Sequence, residues 1–236
     1  MLVKRASNYL VSGVAVLLLL GGSVGVLTAP ATTRQGVDFV VSTREVPLYV
    51  KILDFLHRHY QYAALANEIT QGLSSDQDRV LAVFDWTWRN IRRTPEGWPV
   101  MDDHILNIII RGHGVGEQTA DVFTTLTTYA GMLAYWRILP NGWVLSFAKI
   151  EGKWKVFDVA NGLVFRNAHG DLADRKELGS NPDALVAEAA ESRSLIVASR
   201  RYLSNVASGS VPQPLRAELQ MPWPRLVYEV RRVVGW

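Results

Sequence analysis

The stretch RGHGVGEQTADVFTTL, Arg111 to Leu126, sets a glycine-spaced turn directly before an amphipathic helical pattern. The first turn of a helix favours chemistry on an anion, because unpaired backbone N–H groups and the helix dipole present positive charge there. A thiolate nucleophile uses that placement, but the chain contains no cysteine. Thr119 is the nearest hydroxyl and His113 the nearest base. They make a nucleophile–base pair only if His113 folds back to within about 3 Å of the hydroxyl. The plainer expectation is that Thr119 packs on the helix and His113 is a loop residue. Gly114 and Gly116 would hold an anion through free N–H groups. Glu117 already brings negative charge to that helix end, which favours a simple tight turn.

Metal chemistry has fewer candidates. His57 and His59, with Asp102, Asp103 and His104, are the candidate ligands. An H-x-H pair on a helix points its rings about 200° apart around the axis, so both rarely reach one ion. No closed four-ligand set of the kind zinc requires is spaced along the chain. Neither a metal nor another cofactor is expected, and Asp103 and His104 read as loop residues tied to nearby backbone.

Composition narrows the class further. At 236 residues, 48% hydrophobic and 10% aromatic, the chain has ample material for a packed core. Net charge is +3 and the pI about 9.2, without the concentrated Lys/Arg run of a nucleic-acid binder. The absence of cysteine removes disulfides, thiolate metal sites and thiol nucleophiles together.

Lys4 and Arg5 precede an uncharged stretch from Leu10 to Leu27, with Leu17, Leu18, Leu19 and Leu20 at its centre. As a helix it spans roughly 27 Å, the thickness of a bilayer's hydrocarbon core. The expectation is an uncleaved membrane anchor over residues 1–28 with a cytoplasmic N-terminus; APA at Ala29–Ala31 offers the alternative of signal cleavage. Residues 29–48 read as a polar tether, 49–206 as the main domain, and 207–236 as a loop and amphipathic tail.

Within the domain, VPLYVKILDFLHRHYQYAALANEI has helical spacing and forms one or two helices. SSDQDRVLAVFDWTWRNIRR is a helix opened by Ser75 and Asp78 in a capping-box arrangement. After the Arg111–Leu126 stretch, Pro140-Asn141-Gly142 is a turn. WVLSFAKI and KWKVFDVANGLVF then make an antiparallel hairpin around Glu151-Gly152. A further helix is expected from Asn181 and Pro182. Helices followed by a central helix and a hairpin define an α+β class.

The order of a glycine turn, a helix, a strand, a short turn and W-x-V-F-D resembles the transglutaminase-like superfamily. RGHGVGEQTADVFTTL, Gly131, KWKVFD at Lys153–Asp158, and GLVFRNAHGDLA at Gly162–Ala173 carry the likeness, which covers roughly Asp102 to Leu178. The resemblance implies a transglutaminase-like domain, helices packed on a small antiparallel sheet, related to papain-like cysteine hydrolases. It also implies a Cys–His–Asp triad, and here that pattern is degenerate. The cysteine position falls at Gly116, the histidine position at Trp143, and only Asp158 keeps its residue type.

The expectation is therefore a pseudoenzyme: a non-catalytic, membrane-anchored structural or assembly subunit of an integral membrane complex. It would sit in a bacterial inner membrane with its domain in the periplasm. Trp223, Arg225 and Trp236 in the tail are candidate membrane or partner contacts. The alternative is a module that binds peptide or glycan in the old cleft through Trp143, Glu117 and Gln118. A third reading keeps residual acyl-transfer or hydrolase activity through Thr119, His113 or Asp158. Nucleic acid and small-molecule ligands are not expected partners.

Overall fold

A computed structural model describes residues 25–37, 40–101, 104–140, 142–180, 186–188, 206 and 210–234. The chain divides into two compact units, Met1–His57 and Arg58–Trp236, with the boundary inside the helix α1, Leu48–Thr70.

The first unit corrects two expectations. Among the described residues no helix is long and apolar enough to cross a membrane, so the described fold is α+β without the transmembrane helix that the sequence led us to expect. Positions 1–24, including Leu17, Leu18, Leu19 and Leu20, lie outside the described residues. Gly25–Thr28 are helical and exposed, and Pro30 begins a strand. The long helix α1 cannot substitute, because Lys51, Asp54, Arg58 and Glu68 interrupt its apolar character. The second correction concerns the tether. β1 (Pro30–Val37) and β2 (Val40–Pro47) pair as an antiparallel ribbon, from Pro30 opposite Pro47 to Val37 opposite Val40. Its base is tied to the start of α1, where the Leu48 N–H donates to the Ala29 carbonyl (2.9 Å) and Lys51 Nζ to the Thr32 carbonyl (2.7 Å).

The second unit is α+β. α2 (Asp76–Asn90) starts as its sequence demands: Ser75 Oγ accepts the Asp78 N–H at 3.0 Å. A two-residue parallel bridge joins β3 (Arg92–Arg93) to β4 (His113–Gly114), with α3 (Ile105–Arg111) between them. α4 (Gly116–Tyr129) is the central helix, and every residue from Thr119 to Thr128 is buried. An antiparallel sheet follows in the order β5 (Ala134–Ile138), β6 (Val144–Ile150), β7 (Lys153–Asp158), β8 (Leu163–Arg166), β9 (Val186–Glu188).

The β6–β7 turn is the two-residue Glu151-Gly152, with φ of 49° and 79°. Two consecutive positive values match the right-handed twist of the flanking strands. β9 overturns part of another expectation, because Val186–Glu188 pairs with β8 where a helix from Asn181 was anticipated. Asn181 and Pro182 themselves lie outside the described residues.

Strand alternation sorts the sheet into two faces. Ala148, Phe157 and Val164 join Val83, Phe84, Phe123 and Leu126 of the helices in one core layer. Phe84 and Phe123 meet edge-on at 6.3 Å, and Phe123 lies 5.2 Å from Phe157. Leu145, Phe147, Val156, Leu163 and Phe165 face the other way, onto Leu178, Val206 and Leu215. A short helix, α5 (Arg175–Ser180), lies on that side, and α6 (Pro222–Val234) ends the described chain.

Tyr129, the last residue of α4, gathers distant parts of this unit. Its hydroxyl is 2.7 Å from His59 Nδ1 and donates to the Gln220 carbonyl at 2.7 Å. Burial holds this phenol well above its ordinary pKa.

Candidate functional site

Three elements converge at the first turn of α4. Val115 is its N-cap, but a valine has no side-chain acceptor, so the cap works in one direction only. Gln118 reaches back and accepts the Val115 N–H at 3.1 Å. The Gln118 amide also donates to the Met101 carbonyl, which fixes the preceding loop. Both polar ends of Gln118, a candidate cleft residue in the sequence, are thus engaged by backbone. Glu117 is exposed on the same turn.

The two glycines of the turn have different physical reasons. A Cβ on Gly114 would lie 2.9 Å from Gln118 Cβ, closer than packed carbons approach, so the close fit of turn to helix needs glycine there. At Gly116 a Cβ would meet Val144 Cγ2 at 3.5 Å and Ala160 Cβ at 3.7 Å, ordinary contact distances. Space therefore exists for a side chain at Gly116, and the sequence leaves it empty. Gly116→Ala is expected to stabilise the domain by about 0.5–1 kcal/mol through lower unfolded-state entropy. Urea unfolding checks this, and a destabilised variant would show that the turn needs glycine at both positions.

The strand position that faces Gly116 is Val144, not Trp143. Trp143 packs with the second core layer beside Leu145 and Phe147, on the opposite face of the sheet. Adjacent strand residues point to opposite faces, so Trp143 and Val144 lie on different sides of the sheet. Trp143 therefore does not line this turn. A usable signal was present in the sequence: Val144, Ser146 and Ala148 are small, Leu145 and Phe147 large. Small residues at alternate positions let a helix approach a strand closely.

The third element is the end of β7. Asp158 is 0% exposed and caps the 3-10 turn Val159–Asn161. Its carboxylate accepts the Asn161 backbone N–H at 3.2 Å and the Asn161 side-chain amide at 2.8 Å. Ala160, from the turn that Asp158 holds, touches the space above Gly116. Gly116 and Asp158 were singled out from the sequence; Val144, Ala160 and Asn161, which lie beside them, were not.

The remaining sequence candidates fall elsewhere. Thr119 is buried and its hydroxyl donates to the Val115 carbonyl at 3.3 Å, back into its own helix. His113 sits on β4 with its ring edge-on to Trp98, centroids 5.3 Å apart. His59 bonds Tyr129, His57 is exposed, and His104 is the N-cap of α3. Asp102, Asp103 and Trp236 lie outside the described residues. Among the described residues no three His, Asp or Glu side chains gather as a metal site. Trp223 is exposed, and Arg225 pairs with Glu229.

One buried acid in the motif went unassigned by the sequence. Asp121 accepts from Trp136 Nε1 at 2.5 Å and from Arg216 Nη2 at 2.7 Å. Arg216 also lies over the Trp136 ring at 5.8 Å. This set ties α4 to β5 and to the C-terminal segment, which gives the acid a structural role.

Burial lowers the His113 pKa, with Arg111 adding a smaller push in the same direction. The stability contributed by the neutral ring is therefore complete above about pH 6.5 and is lost as pH falls toward the lowered native value. His113→Gln is expected to flatten the fall in Tm between about pH 7 and about pH 5. An unchanged slope would place the acid sensitivity in another group.

No protein-family model matches the chain, and no curated protein matches it. Two solved structures resemble part of it. A "putative protease" from Parabacteroides distasonis aligns over 54% of this chain and 35% of its own, with a TM-score of 0.36 and 13% identity. A "putative cysteine protease" from Cytophaga hutchinsonii aligns over 47% and 42%, with a TM-score of 0.37 and 21% identity. The matched region thus spans less than half of either protein.

Proposed function

We propose that this domain is non-catalytic and serves as a structural or assembly subunit of a larger complex. The observation that carries the reading is the first turn of α4. The position where a nucleophile would profit from the helix N-terminus is Gly116, and its neighbours Val144 and Ala160 are apolar. Neither neighbour can take or give a proton. Asp158, the remaining acid, has its oxygens turned to Asn161 and holds a turn. A scaffold with that turn intact and no reactive group on it is suited to offering surface.

The test has two arms. Tagged full-length protein, purified from its native cells after mild cross-linking, is expected to bring a partner in fixed stoichiometry. The purified chain is expected to show no turnover on peptide or ester substrates and no labelling by acylating probes. A lone protein with measurable hydrolysis would sink the proposal.

A second reading, peptide or glycan binding beside the same turn, draws on Trp98. This indole is 50% exposed and packs against His113, in the loop that Gln118 fixes through Met101. Exposed indole faces are common platforms for such ligands. Trp98→Ala that abolishes a measured peptide or glycan affinity would favour this reading over the first.

A further inference from the structure

The helix α6, Pro222–Val234, leaves large apolar side chains in solvent. Trp223 and Leu226, one turn apart, are 72% and 53% exposed. Arg225, Tyr228 and Glu229 are each only partly exposed, and Arg225 Nη2 lies 2.6 Å from Glu229 Oε1. A surface helix normally buries its apolar stripe and offers the polar one to water. An indole and a leucine side by side in solvent forgo the free energy that apolar cover would supply.

Charge identifies the cover. Residues 210–234 carry Arg216, Arg225, Arg231 and Arg232 against only Glu218 and Glu229. Arg231 is exposed two turns beyond Trp223. An exposed tryptophan, aliphatic neighbours and flanking arginines are what a helix needs to lie in the headgroup layer of an anionic bilayer. The indole sits at the polar–apolar boundary, and the guanidinium meets phosphate.

We propose that α6 is a peripheral docking helix for an anionic membrane surface. Trp223 and Leu226 enter the boundary between headgroups and acyl chains, and Arg231 pairs with lipid phosphate. The proposal does not depend on whether the domain is catalytic.

Because the chain has no cysteine, Leu226→Cys gives a unique attachment point for an environment-sensitive nitrobenzoxadiazole label. His169→Cys, in an exposed loop, gives a control. Both labelled full-length proteins are mixed with phosphatidylcholine vesicles, and with vesicles carrying phosphatidylglycerol as well. On the anionic vesicles the label at 226 is expected to shift to the blue and to be quenched by a lipid-borne quencher, while the label at 169 is not. Adding Arg231→Ala is expected to weaken that binding about fivefold, the share of one cation at a charged surface. High salt should weaken it in the unmodified protein as well. No change at 226 on anionic vesicles overturns the proposal, even if the protein sediments with them through other residues. So does a change that is equal on neutral vesicles and indifferent to Arg231→Ala. A blue shift that grows with protein concentration in the absence of lipid also overturns it, because a second copy of the chain then covers the face.

Discussion

Gly116→Cys combined with Val144→His is expected to carry a thiolate at neutral pH. The cysteine would stand at the first residue of α4, where unpaired N–H groups and the helix dipole favour negative charge. Its Cβ fits, since the closest atom, Val144 Cγ2, is 3.5 Å away. That same contact puts a histidine at 144 beside the sulfur, as an imidazolium partner. An ordinary cysteine titrates near about pH 8.5. Gly116→Cys alone should titrate below that, and the double variant lower still. Alkylation by iodoacetamide at about pH 6.5 is expected to be at least roughly tenfold faster in the double variant than in an exposed control cysteine. Amide hydrolysis is not expected to appear with it, because Asp158 is occupied by Asn161. If both thiols titrate at the ordinary value, the convergence of Gly116, Val144 and Asp158 is not the remnant of a nucleophile site.

Asp158→Ala should be the most damaging single change at the site. It removes the acceptor of two hydrogen bonds at a fully buried position and leaves the Asn161 N–H and amide to find other partners. Loss of a cap costs about 1 kcal/mol, and the partly buried donors left on Asn161 add about 1–3 kcal/mol. A destabilisation of about 2–4 kcal/mol in denaturant unfolding is the expected result. Asp158→Asn preserves an acceptor for the Asn161 N–H and should recover part of it. If alanine is tolerated without loss, the acid is not held for structure, and a chemical role returns to consideration.

How much of this was legible beforehand follows the local physics. Ser75 with Asp78, and Glu151-Gly152 between two alternating runs, are short-range signals whose chemistry fixes a backbone conformation, and both elements stand where the residues put them. The ribbon β1–β2 was hidden because its residues are mostly polar on both faces, so no alternation marks it. The strand β5 was hidden for the opposite reason: Ala134 and Tyr135 are both buried, on opposite faces of the sheet. At the site, Gly116 and Asp158 could be read from motif spacing. Which of two adjacent residues, Trp143 or Val144, faces the helix depends on where the strand begins. Spacing along the chain does not carry that information, although side-chain size did.

The Tyr129 hydroxyl has a consequence for the order of assembly. Its two partners lie 70 residues earlier and 91 residues later in the chain. Contacts that span such distances form late, after the loops between them have been closed. On the ribosome the central helix and the first strands emerge well before Gln220 does, so this clasp can close only after Gln220 has left the exit tunnel. Until then the end of α4 lacks its final partner. A newly made chain cut short before Gln220 would keep its hairpin but leave that end of the domain unlatched.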